Sequence, residues 1–241
     1  MFFFPAFLIN LLLKVVKYPI AILACIALPS LVVDFTSTRI SSLDPIFLWS
    51  CFLYALIMFL FPSIRAFRRF VATITHELTH ALFATLTGHR VVNIRVTLSA
   101  GGRCQFLGPL GGNWLITTSP YWIPLLPMLL VVLAFLSKTN SAGYRCLLGV
   151  TLALHFHSLC TDIHWRQPDL REAGWLFSLL FLPSAVCTTY GILLGVNPQD
   201  IGQSLQGIKT CWSGAILSLS RWLLGESMSD HFFGLSLLTP T

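Results

Sequence analysis

Residues 71–88 read VATITHELTHALFATLTG, and at their centre stands His76-Glu77-Leu78-Thr79-His80. Side chains four residues apart stack on one face of an α-helix, so the two imidazoles can converge on a single metal ion. Glu77, one position after the first histidine, can reach a water activated by that ion and accept its proton. The surrounding residues are Val, Ala, Ile, Leu and Phe with scattered Thr, a composition for an apolar setting. An ionisable side chain at mid-bilayer costs about 2.5–3.5 kcal/mol on insertion scales, so three in one such helix need a compensating partner. A divalent cation facing a water-filled cavity is one such partner; hydrogen bonds among neighbouring helices are the plainer alternative. His76 and His80 are thus candidate zinc ligands, and Glu77 is the candidate general base.

The rest of the chain supplies the apolar setting. Of 241 residues, 55% are hydrophobic and 10% charged, with a mean hydropathy of +0.77. Soluble domains devote about a quarter of their residues to charge, so an ordinary soluble enzyme is excluded. The 19 Phe and 7 Trp exclude disorder as well. The net charge of +6 is not gathered into a basic cluster interleaved with aromatics, and no nucleic-acid partner is expected. Seven cysteines with no Cys-x-x-Cys pair read as small packing residues, not as a disulfide framework or zinc knuckle.

A spanning helix needs roughly 20 mostly apolar residues. Segments 3–33, 46–62, 70–87, 114–136, 146–161 and 174–196 meet or approach that requirement. The first, carrying Lys14 and Lys17, reads either as one long tilted helix or as an interfacial helix leading into a span from Tyr18. The expected fold is an all-α polytopic membrane bundle of about six transmembrane helices, a multi-pass integral protein of the lipid bilayer.

Two stretches differ in kind. In HRVVNIRVTLSAGGRCQFL (89–107), Val91, Ile94, Val96 and Leu98 are set among Asn93, Arg95, Thr97 and Ser99, with Gly101-Gly102 as a turn. A short β-hairpin is expected there, at the interface or under helices, because open strand edges cannot face lipid. Beyond Asn197, Ile201, Leu205, Ile208, Trp212, Ile216, Leu219 and Leu223 recur at helical spacing with polar residues between them. That pattern predicts an amphipathic interfacial helix. The chain divides accordingly into an integral membrane domain, 1–199, and an interfacial helix and tail, 200–241.

Two histidines and a water leave room for one more protein ligand on a catalytic zinc. The richest region is LHFHSLCTDIHWRQPDLREAGW (154–175), where Asp162 closes the fifth apolar run and Asp169 precedes the sixth. Either carboxylate can complete the site. His155, His157 and His164 can each be a ligand, a partner holding a ligand or a hydrogen-bonded structural residue, and the structural role is the expected one.

Taken together, HELTH in an apolar helix, a Gly-His turn, a short β-rich segment and a downstream Asp at a helix start resemble the site-2 protease class of zinc metallopeptidases. The likeness covers roughly residues 65–185 and is closest to the compact branch without appended domains. It implies zinc on His76 and His80, with Glu77 as base. It also implies Asp169 as third ligand, although Leu170 stands where the family usually has Gly, which leaves Asp162 as the alternative. Gly108-Pro109 followed by Asn113 resembles the family's substrate-orienting turn, one residue late, and marks Asn113 as a candidate substrate-binding residue; helix capping explains it equally. The implied activity is hydrolysis of a peptide bond in or near the transmembrane segment of a membrane-protein substrate. Residues 91–107 would then pair with the unwound substrate as an added strand. Three other readings are a catalytically inactive assembly or chaperone factor of the same fold, a cation-binding transporter, and a zinc hydrolase of a different bond, such as a prenyl-protein or lipid processing enzyme; the inverted repeats expected of a transporter are not found.

Overall fold

The computed structural model describes residues 3–36, 43–97 and 101–199, together with Ser213 and Ser220. Its helices are α1 (Phe3–Asp34), α2 (Pro45–Leu60), α3 (Ile64–Leu86), α4 (Trp114–Thr118), α5 (Leu125–Ser137), α6 (Ala142–Asp162), α7 (Pro168–Ala173) and α8 (Trp175–Gly195). Strands β1 (Arg90–Thr97) and β2 (Gly101–Leu107) form an antiparallel hairpin directly after α3. The helical bundle and the hairpin are therefore as expected. The amphipathic helix expected over 200–241 lies outside the described residues.

Local chemistry sets several boundaries. Asp44 accepts a hydrogen bond from Ile46 N at 2.7 Å and Pro45 opens α2, a good pairing of cap and first-turn residue. Ser141 caps α6 through Tyr144 N. Segment 3–33 proves to be one continuous helix that holds Pro19 and Pro29. Gly101 and Gly102 belong to β2, opposite Thr97 and Val96, and so do not form the turn.

Two buried clusters hold the helices together. Ala21, Trp114, Leu170, Phe177 and Phe181 join α1, α4, α7 and α8. Phe47, Val131, Leu148, Leu152 and Tyr190 join α2, α5, α6 and α8. The outer faces are also apolar: Phe59 is 77% exposed and Leu136 78%. Water would not tolerate a belt of such residues, whereas lipid would.

Helices Pro5–Asp34 and Trp175–Gly195 are long and apolar enough to cross a membrane, and the count becomes three if Trp114–Tyr121 and Leu125–Ser137 form one broken span. The expected count of about six is not reached among the described residues. Helix α2 is short, at 16 residues, and α3 and α6 carry His, Arg and acidic residues. The segment expected to span 114–136 is bent by 80°. Pro124 stands at the break, where a missing N–H and a restricted preceding residue interrupt the helix.

Packing directions also bear on the count. Tyr18 meets Phe177, Ser184 donates to the Ala24 carbonyl, and Leu31 packs on Cys187, so α1 and α8 run parallel. Asp44 pairs with Arg145, Cys51 contacts the Gly149 carbonyl and Tyr54 bonds His157, so α2 and α6 run parallel as well. Six strictly alternating spans would make both pairs antiparallel. One segment between α2 and α6 therefore returns to the side it left, and the bent α4–α5 pair has the shape for that return.

Candidate metal centre

Helix α3 presents His76 and His80 one turn apart, their ring centroids 4.8 Å from each other. The two Nε2 atoms are 3.2 Å apart. Short helix α7 brings Asp169 to them: its Oδ2 lies 3.2 Å from His76 Nε2 and 3.4 Å from His80 Nε2. Among the described residues, His76, His80 and Asp169 form the group with the spacing to hold a metal ion. Two imidazoles and a carboxylate are also a donor set suited to zinc. Burial pushes the Asp169 carboxyl up, but hydrogen bonds from His76 and His80 outweigh it and hold the group below the usual carboxylate range.

Each donor is oriented from behind. His80 Nδ1 donates to the Ile116 carbonyl at 2.7 Å, which leaves Nε2 to face the group. That carbonyl, which also accepts from the Ser119 hydroxyl at 2.9 Å, lacks a helical N–H partner because the residue four positions on is Pro120. Ile116 N in turn donates to Asn113 Oδ1 at 3.1 Å, and Asn113 Nδ2 donates to Asn10 Oδ1 at 2.7 Å. Asn10, buried on α1, also donates to the Pro109 carbonyl at 2.6 Å and meets His89 Nε2 at 3.1 Å. Close approach explains Gly108, since a side chain there would overlap the His89 ring. Tyr121, 1% exposed, donates its hydroxyl to Asp169 Oδ2 at 3.0 Å and sets its ring edge against His76.

Glu77 points from α3 towards the hairpin. Gly102 packs on it so tightly that a Cβ there would lie 2.5 Å from Glu77 Cγ and 2.6 Å from Thr73 Cγ2. The Cys104 backbone N–H faces the Glu77 carboxylate. Burial, and then the nearby Glu77 charge, push the Cys104 thiol up to about 11, so it lines the site as a neutral group. Together these elements enclose an open cleft of about 660 Å³ lined by Glu77, both metal-facing histidines, Asp169, Arg103 and Asp162.

Of the two candidate third ligands, Asp169 is the one brought to the histidines. Asp162 lines the cleft and accepts from the Thr161 hydroxyl at 3.2 Å. Asn113 caps α4 with one end of its amide and holds Asn10 with the other. His155 bonds Tyr190 and the Pro120 carbonyl, His157 bonds Tyr54, and exposed His164 accepts from Arg166 N. The sequence reading missed Tyr121 and the Ile116 carbonyl. The signals were present: a Tyr among prolines in an apolar run needs a partner for its hydroxyl, and a proline frees a carbonyl one turn upstream.

A His-x-x-x-His pair on one helix, a carboxylate from another and a Glu beside them thus form a group that could bind a metal ion in an apolar, mostly helical protein. Residues 49–167 match the family described as Peptidase M50B-like, a match consistent with a site-2 protease-like family. No curated protein and no solved structure matches the chain.

Proposed function

We propose that the protein is a zinc-dependent metallopeptidase that hydrolyses a peptide bond in or near the transmembrane segment of another membrane protein. One observation carries the reading: three donor atoms converge beside a carboxylate that opens onto a cleft large enough for an extended peptide. His76, His80 and Asp169 would hold the ion, which when bound supplies Lewis acidity towards water and the scissile carbonyl. Glu77 takes the proton of the attacking water on its carboxylate and delivers it to the leaving amine. Tyr121 and the Ile116 carbonyl fix the carboxylate and the imidazole in place, much as outer partners do in other metal sites. The hairpin edge beside Glu77 offers a strand against which an unwound substrate can pair. Since the Asn113 amide is already engaged, we assign alignment of the substrate backbone to that edge.

Two measurements on the purified full chain test this. Glu77→Gln should abolish cleavage of a membrane-peptide substrate while zinc content stays at the wild-type level; a cellular phenotype that survives this change points instead to a non-catalytic role. Metal analysis should show zinc lost in His80→Ala and Asp169→Ala but kept in Asp162→Ala. Zinc-free wild-type protein, or loss confined to Asp162→Ala, would overturn the ligand assignment.

A further inference from the structure

The hairpin carries a charge arrangement that the metal centre does not use. Arg95 of β1 stands directly opposite Arg103 of β2, and both are exposed. Paired positions in an antiparallel ladder share a face, and like charges there destabilise it. Among the described residues, neither arginine has a carboxylate within ion-pair distance. The adjacent pair, Val96 opposite Gly102, faces α3, so the arginines project from the other face of the strands. Arg103 nevertheless lines the cleft that holds His76, Glu77 and Asp169, while Asp162 and Glu172 line it from α6 and α7. Arg103, next to the face that meets α3, thus shares the cleft lining with two carboxylate residues that are not among the three metal-facing donors.

We propose that Arg95 and Arg103 are specificity-determining residues that select substrates with an acidic side chain flanking the segment to be cut. This rests on the peptidase reading and adds the substrate class. A guanidinium pair at one level of a strand ladder presents paired N–H donors suited to a carboxylate. A substrate strand laid along the hairpin places its own side chains beside that ladder. A phospholipid phosphate has similar chemistry, but Arg103 belongs to the wall of the metal cleft, and that position favours the peptide.

The test reads binding, so that it does not depend on turnover. Full-length Glu77→Gln protein, zinc-loaded in neutral detergent, is titrated with three fluorescent transmembrane peptides that differ only in a flanking Asp-Asp, Asn-Asn or Lys-Lys. The Asp-Asp peptide should bind about ten-fold tighter than Asn-Asn at low salt, given roughly two- to five-fold per exposed pair, and the preference should shrink as salt rises. Arg95→Glu with Arg103→Glu should transfer the preference to Lys-Lys. Should that double variant fold poorly, Arg103→Gln alone should reduce the Asp-Asp preference two- to five-fold. Equal affinity for all three peptides overturns the proposal. So does unchanged peptide selectivity in the double variant accompanied by lost binding to phosphatidylglycerol vesicles, which would make the pair a lipid contact. Wild-type protein that cuts all three peptides equally refutes the selection and leaves the peptidase reading standing. Selective binding without any cleavage does the reverse.

Discussion

Gly102→Ala adds one methyl group where the hairpin meets the base. The new carbon would sit 2.5 Å from Glu77 Cγ and 2.7 Å from Glu77 Oε1, whereas ordinary contact begins at 3.4 Å. Either the carboxylate or the strand must therefore shift by about 0.9 Å, and a misplacement near 1 Å can cost a catalytic group about 100-fold in rate. Overpacking of this kind also costs about 1–3 kcal/mol of stability. The three metal-facing side chains are not among the atoms displaced, so zinc content should be unchanged. Gly101→Ala is the control: its φ of +81° makes a side chain strained, yet no atom lies within 4 Å. It should cost about 1 kcal/mol and leave the rate near wild type. Single-turnover cleavage of a designed membrane peptide, with zinc analysis and a thermal melt on the same samples, separates these effects. Wild-type turnover in Gly102→Ala, or an equal rate loss in Gly101→Ala, would refute the argument that the hairpin sets the position of Glu77.

Two further outcomes follow from the framework around the site. Burial lowers the pKa of His89 below its ordinary 6.5, so in that range the unfolded chain binds the proton and the folded one does not. Its contribution to stability is therefore present above 6.5 and lost as the pH falls below it. The melting temperature of wild type should drop more than that of His89→Gln between about pH 7.5 and 5; parallel profiles would contradict this. Asp44 both caps α2 and pairs with Arg145. Asp44→Asn keeps the cap and should cost about 0–1 kcal/mol, while Asp44→Ala should lose about 1–2 kcal/mol more. Chemical denaturation giving equal losses would show that the cap contributes nothing.

Much of this architecture was legible because the signals are local. The four-residue spacing of His76 and His80 fixes their common face, and the β-branched run ahead of Gly101 announces the hairpin. What escaped reading depends on distant partners. Nothing between Asp162 and Asp169 in the sequence states which carboxylate a short helix will bring to residues more than eighty positions earlier. The count of about six spans is not confirmed for a related reason: hydropathy measures how apolar a segment is, while features such as the bend at Pro124 and the parallel pairing of α1 with α8 bear on whether it crosses. Asn113 resembles a substrate contact in the sequence, and in the structure its amide caps α4 and holds Asn10, partners that lie too far along the chain, or depend too much on a helix start, to be read from its neighbours.

The hydrogen-bonded line from Asn10 through Asn113 and Ile116 to His80, together with the late arrival of Asp169, has a consequence for biogenesis. A nascent chain that has emerged only as far as α6 already contains His76, Glu77 and His80 but has no carboxylate beside them. Until α7 folds back and α1 is docked, the three side chains that could hold a metal ion are not together. On the proposed reading, a centre built this way stays silent during its own synthesis and gains its third donor only when α7 settles against α3.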